Sequence, residues 1–89
     1  MDKIKVRNMV SNKGNKIANQ FEIDIGDSVY FQSYKSIIAL RKNGNVFLDK
    51  NYWDYSRTTG KYRNIFLGEN KKETEKKIKE GIYKLVDLN

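Results

Sequence analysis

Polar and apolar positions alternate from the start of the chain. Ile4, Val6 and Val10 interleave with Lys3, Lys5 and Arg7, the period of a half-buried strand, and Asn8 on the apolar side marks a defect or a strand end. The turn cluster Ser11-Asn-Lys-Gly-Asn15 leads into a second such run, with Phe21, Ile23 and Ile25 expected inward and Glu22 and Asp24 outward. If the two strands pair, the acids face Lys5 and Arg7, which serves register and solubility more than stability. Gly26-Asp27-Ser28 then turns the chain into Val29–Tyr34, with Val29 and Phe31 on one face and Tyr30, Gln32 and Tyr34 on the other. That tyrosine face suits either a binding surface or the floor beneath a helix, with hydroxyls at the rim.

The strongest local signal is Asn43-Gly44 between Ile37–Arg41 and Val46–Leu48, because a type I′ hairpin turn needs positive φ at both central residues. A two-residue loop pairs Lys42 with Asn45, Arg41 with Val46, Leu40 with Phe47 and Ala39 with Leu48. Apolar residues then fall on both faces, which predicts a central hairpin, covered by a helix on one side and partly covered on the other.

Beyond it the period changes to 3.6. Tyr52–Ser56 reads as an extended exit from the sheet with Trp53 and Tyr55 on one side, and a helix is expected to start at Thr58 or Thr59, capped by one of those hydroxyls. Gly68 stops that helix after Leu67. Tyr62, Ile65 and Phe66 share the face toward the sheet, with Lys61 and Arg63 at its borders reaching solvent and Arg57 pointing away. Asn70-Lys-Lys-Glu73 is a capping box opening a second helix to about Glu80, ended by Gly81, with Glu73–Lys77 and Glu75–Lys79 pairs along it. Thr74, Ile78 and Ile82 form its thin apolar stripe, and Tyr83 and Leu85 begin a last strand. The expected architecture is α+β: an antiparallel sheet of about five to six strands with two short helices near the C-terminus.

Length and composition narrow the classes. With 89 residues the chain makes one domain, 1–89, with one modest core. Met1–Arg7 lacks the apolar run of a signal peptide and no stretch is long enough to cross a bilayer, so a soluble intracellular protein is expected. The formal charge of +7, from 18 basic and 11 acidic residues, favours polyanionic partners, although a Lys-, Asn-, Ile- and Tyr-rich composition of the kind AT-rich genomes encode accounts for part of it.

Absence of His and Cys removes the commonest general base, the commonest metal ligand and the strongest nucleophile. Neither a cofactor nor a metal is expected, and Glu22 and Asp24 read as salt-bridge partners rather than cation ligands. Chemistry instead concentrates in 51–68, which holds the single Trp and three cations. Trp53 and Phe66 belong to the core on this reading, while Arg57, Lys61 and Arg63 are exposed, with Tyr55 beside them and Tyr34 and Lys35 as a second contact region. Tyrosines stacking on bases and cations on phosphates are the ingredients of a single-stranded nucleic-acid module. The same residue types, Tyr55, Arg57, Lys61, Tyr62 and Arg63, resemble the His-free machinery of RelE-type ribonuclease toxins, but that family opens with helices where this chain opens with strands.

The stretch Asn51-Tyr-Trp-Asp-Tyr-Ser-Arg-Thr-Thr-Gly-Lys-Tyr-Arg-Asn-Ile-Phe-Leu-Gly-Glu69, with Lys72–Gly81, Tyr83–Asn89 and the upstream Tyr30–Ala39, resembles a domain of unknown function recurrent in bacteriophage proteins. That resemblance implies a phage or mobile-element origin and action in the host cytoplasm. Small proteins of such elements are often anti-defence inhibitors, anti-CRISPR proteins among them. The expectation is therefore a non-catalytic inhibitor of a host defence nucleoprotein, contacting the effector protein or its guide RNA through Tyr34, Lys35, Tyr55, Arg57, Lys61 and Arg63.

Overall fold

The computed structural model describes residues 3–89 and shows one six-stranded sheet in the order β1-β2-β3-β4-β5-β6. The strands are β1 (Ile4–Val10), β2 (Lys16–Ile25), β3 (Ser28–Ser33), β4 (Ser36–Lys42), β5 (Asn45–Asp49) and β6 (Tyr83–Val86); helices α1 (Arg57–Leu67) and α2 (Lys71–Lys79) lie between the last two. The first five strands form an antiparallel meander, and β6 joins β5 in parallel after the two-helix crossover. The α+β class is as expected; the parallel last pair is an addition to it, permitted by a two-helix connection long enough to carry the chain back to the end of the sheet where β5 begins.

Tight turns set the register. Asn43 and Gly44 have φ of 51° and 79°, and the pairing Lys42–Asn45, Arg41–Val46, Leu40–Phe47 and Ala39–Leu48 follows the turn chemistry. Lys5 faces Asp24 and Arg7 faces Glu22, and the Arg7 guanidinium bonds both Asp24 and Glu22. One expectation fails here: Tyr34 is not a strand residue but the first residue of the β3–β4 turn, at φ 56°. A bulky side chain tolerates this conformation because its N–H donates to Asn19 O at 2.7 Å and its carbonyl accepts from the Gln32 amide at 2.7 Å.

Which face of the sheet is covered reverses part of the sequence reading. Both helices pack on the side that carries Phe31, Ala39, Leu48 and Tyr83, where Phe66 stacks on Phe31 at 5.7 Å between ring centroids. A β-bulge opposite Phe31 puts both Ile38 and Ala39 into this core. Glu22 and Asp24 lie on the helix side of β2, opposite Phe31 and Val29, so Phe21, Ile23 and Ile25 point away from the helices. Tyr30 shares that other face and is not beneath a helix. Ile4 and Val6, expected to be half-buried, are 64% and 62% exposed.

Two buried carboxylates hold the helices to the sheet. Asp49, fully buried at the end of β5, accepts backbone N–H groups from Asn51 at 3.0 Å, Tyr52 at 2.9 Å and Leu88 at 2.8 Å, so it organises both the exit from β5 and the chain beyond β6. Glu69, between the helices, accepts from Lys77 at 2.6 Å and the Tyr83 hydroxyl at 2.7 Å, and also from Thr74. Lys77 thus pairs with Glu69 rather than with Glu73, because a carboxylate already desolvated offers the stronger partner. Burial by itself raises the carboxyl pKa at both sites, but the donors outweigh it and hold both below the ordinary carboxylate range.

Since these carboxyls are depressed in the folded state, the stability they supply is present above the unfolded pKa of about 4 and is lost as pH falls through the lower folded value. Urea denaturation is expected to show stability steady above about pH 5 and declining below it, with a shallower decline in Asp49→Asn. At neutral pH, Asp49→Ala leaves three backbone donors without their acceptor and is expected to cost about 3 kcal/mol. A loss within the usual surface range of about 0.5 kcal/mol would show that water replaces the carboxylate.

Candidate functional site

Helix α1 begins one or two residues earlier than expected. Ser56, in extended conformation, is the N-cap and accepts the Thr59 N–H at 3.1 Å, so Arg57 occupies the first helical position. Thr59 is instead buried, its hydroxyl 3.0 Å from that of Ser33 on β3. Gly68, at φ 71°, ends the helix as predicted, its N–H donating to Asn64 O at 2.8 Å. The buried stripe is Thr59, Arg63 and Phe66, with Tyr62 and Leu67 packed beside it. Ile65, expected on the sheet-facing side, is 55% exposed.

Arg63 is the principal correction. Expected to reach solvent, it is 1% exposed. Its Nη1 donates to Trp53 O at 2.8 Å and Asp54 Oδ1 at 3.0 Å, its Nη2 donates to Asn64 Oδ1 at 2.9 Å, and its guanidinium lies 5.2 Å from the centre of the Trp53 ring. The planar fork suits this task because several donors leave one rigid group in fixed directions. Arg63 therefore ties the 53–56 segment onto α1. Trp53 is half-buried against the core and Phe66 fully buried, as expected of them.

Above Arg63 lies an open groove of about 640 Å³ lined by Asp54, Ser56, Arg57, Gly60, Lys61, Arg63, Asn64 and Lys71. It gathers three of the sequence-identified residues and adds Lys71, whose Nζ is 2.7 Å from Asp54 Oδ2. Arg57 and Lys61 are exposed and make no ion pair among the described residues. Asp54 is the groove's only acid among the described residues, shared between Lys71 and Arg63. Partial burial raises its pKa, yet the bonds from Lys71 and Arg63 bring it below the ordinary carboxylate value, so it stays ionised at neutral pH. Four cations against one anion leave the groove strongly positive.

Two local features run against helix stability. The first turn of α1 holds no acid and its last turn no base, and Arg57 occupies the first helical position, at the positive end of the helix dipole, with Lys61 one turn further along. By contrast, α2 has Glu73 in its first turn and Lys76, Lys77 and Lys79 in its last, together with the complete Asn70–Glu73 capping box. Gly60 lies inside α1, where glycine costs about 1 kcal/mol relative to alanine. A Cβ there would find its nearest neighbours, the Arg63 guanidinium nitrogens, at 3.7 Å, an ordinary contact. Packing does not require the glycine.

The remaining candidates lie outside the groove. Tyr34 and Lys35 are exposed in the β3–β4 turn, which Ser33 links to α1 through Thr59. Tyr55 is exposed and meets Tyr52 edge-on at 5.5 Å. Sequence reasoning passed over Lys71, considering the lysines of α2 as partners of Glu73 and Glu75; the capping box, which places Lys71 at the first position of α2, was the signal that set it apart.

Stability measurements separate the roles. Arg63→Ala is expected to destabilise by about 2–3 kcal/mol in urea denaturation, since removing one partner of a buried ion pair strands the other. Arg63→Lys should recover little, a single ammonium being unable to bond Trp53, Asp54 and Asn64 together. Arg57→Ala and Lys61→Ala should stay within about 0.5 kcal/mol of the parent. Equal losses at all three positions would remove the distinction between the floor of the groove and its walls.

No helix among the described residues is long and apolar enough to cross a membrane. No curated protein and no solved structure matches the chain. A family profile does match, over residues 4–81, a span from β1 to the end of α2 that includes the whole groove. The chain belongs to that family, a family of unknown function (DUF8033).

Proposed function

We propose that this protein acts by occupation rather than turnover, as a non-catalytic inhibitor that seats the phosphate backbone of a nucleoprotein complex in the α1 groove. The observation that carries this reading is the placement of Arg57 at the positive end of α1, with Lys61 one turn beyond it, both over an open groove. Local stability favours acids there, and a bound anion turns the same arrangement into an attraction. Gly60 supports it, because a helical glycine that packing does not demand permits close backbone approach of a ligand. Arg57, Lys61 and Lys71 are the phosphate contacts; Arg63 braces them from below. The resemblance of 51–69 to phage proteins points to a host defence complex as the target, in the manner of anti-CRISPR proteins, with the host cytoplasm as the place of action.

The exposed Tyr52–Tyr55 pair favours a second reading, an autonomous single-stranded nucleic-acid module in which those rings stack on bases. Fluorescence anisotropy with generic single-stranded DNA and RNA at two salt concentrations separates the two. An autonomous module binds bare oligonucleotide with a log–log salt slope of about −2 for three phosphate contacts, and Tyr55→Ala weakens it. A nucleoprotein-directed inhibitor binds bare strands weakly at physiological salt and requires the assembled complex. Under either reading Arg57→Glu/Lys61→Glu is expected to abolish polyanion binding without unfolding the chain. Gly60→Ala should raise the melting temperature while weakening binding. Retained binding in the double charge-reversal variant would discard the groove.

A further inference from the structure

The face of the sheet opposite the helices presents a second apolar surface. Register assigns Val6, Ile23, Tyr30, Leu40 and Phe47 to it in a continuous row across β1 to β5, each opposite the next. Leu40 is buried yet stands apart from the core beneath the helices, shielded within its own layer. A one-sided antiparallel sheet in water alternates apolar and polar residues, with the polar set outward. Here the central outward row is aliphatic and aromatic, with the polar residues Asn8, Gln32, Ser28 and Asn45 set to either side of it, and no helix or strand of the described chain covers it. Charged side chains on this face lie toward its ends: Lys42 opposite Ser28, Lys84 on the edge strand opposite Phe47, and Asp49, whose carboxylate is taken up by the backbone N–H groups of Asn51, Tyr52 and Leu88.

We infer that this face is the interface of a homodimer, in which two copies pack sheet against sheet with the helices outward. Three features favour a second copy. Six strands spaced about 4.8 Å and about six residues long present roughly 600 Å², at the lower end of the range centred on roughly 800 Å² per partner for a standard stable interface. Two identical right-handed twisted sheets are complementary in aligned packing, and an apolar centre with charge confined to the rim is the composition of homodimer interfaces. The charge distribution agrees as well: Arg57, Lys61 and Lys71 lie on the helix side, so face-to-face packing keeps the most cationic surfaces of two +7 chains apart. Edge pairing does the opposite. Laying β1 antiparallel on its own copy brings Lys5 and Arg7 against their equivalents, the like-charge juxtaposition that protects exposed edges.

The dimer would present two cationic grooves on opposite outer surfaces, although the inference does not depend on what those grooves bind. Sedimentation equilibrium across a micromolar concentration series tests it. The full chain is expected at twice its 10.5 kDa mass. Val6→Lys and Phe47→Lys, at opposite ends of the row, should each give the single-chain mass with a native far-UV spectrum; Val6 is exposed enough in one copy that its variant carries the test should Phe47→Lys misfold. Ile65→Lys, an exposed apolar position on α1, should leave the dimer intact. A parent protein that stays at single-chain mass throughout overturns the inference. So does a dimer that survives Val6→Lys, which would place the contact at an edge, and so does a single-chain species that co-sediments with anionic vesicles, which would assign the face to lipid.

Discussion

The site depends on one buried guanidinium. Arg63 is placed where an apolar residue would ordinarily complete the Thr59–Phe66 stripe, and it is tolerated because Trp53 O, Asp54 and Asn64 supply acceptors and the Trp53 ring lies alongside. Its Nε has no hydrogen-bond partner among the described residues. A buried ion pair of this kind gives little net stability over a well-packed hydrocarbon, since desolvation offsets the attraction. What it supplies is position. By joining 53–54 to α1, it fixes the start of the helix, the Asp54 carboxylate and, through Asp54, the Lys71 end of α2.

The same economy recurs at the other joints. A sheet with one covered face and 89 residues has few large side chains with which to anchor two helices. Asp49 secures the exit from β5 and the segment after β6 with three backbone bonds, and Glu69 gathers α2 and β6 through Lys77, Thr74 and Tyr83. Each carboxylate collects groups from segments distant in sequence. Polar pins of this type specify one arrangement more sharply than a small apolar contact can, because an unpaired buried donor or acceptor is costly in every alternative.

Features governed by neighbouring residues were legible in the sequence: the Asn43-Gly44 register, the Asn70–Glu73 box, the Gly68 stop and the opposition of Lys5 and Arg7 to Asp24 and Glu22. The assignment of faces was not, since alternation shows which residues share a face and not which face receives a helix. With Phe21, Ile23 and Ile25 on one side and Phe31 and Val29 on the other, both faces qualify. The helix start was misplaced because Ser56, Thr58 and Thr59 can all cap, and the choice falls to Ser56 once Ser33 takes the Thr59 hydroxyl. Arg63 was misjudged for a related reason. A long cationic side chain defaults to water, and only the tertiary return of Trp53 and Asp54 onto α1 makes burial acceptable.

The two helices provide an internal comparison of how stability and function divide a short chain. In α2 every local preference agrees: an Asn cap, an acid in the first turn and bases in the last, with Gly81 at φ 78° just past the end. In α1 the cap and the terminator are equally good, yet between them lie a first turn without an acid, a central glycine and a buried cation. Sequences generally satisfy local rules wherever nothing else competes, so departures that cluster at one place indicate a competing demand. All three departures line the same groove. A scaffold under selection for stability alone would have an acid in place of Arg57, alanine in place of Gly60 and an aliphatic residue in place of Arg63. The chain has the opposite at each position, and the anion recognition proposed for the groove would account for the three together.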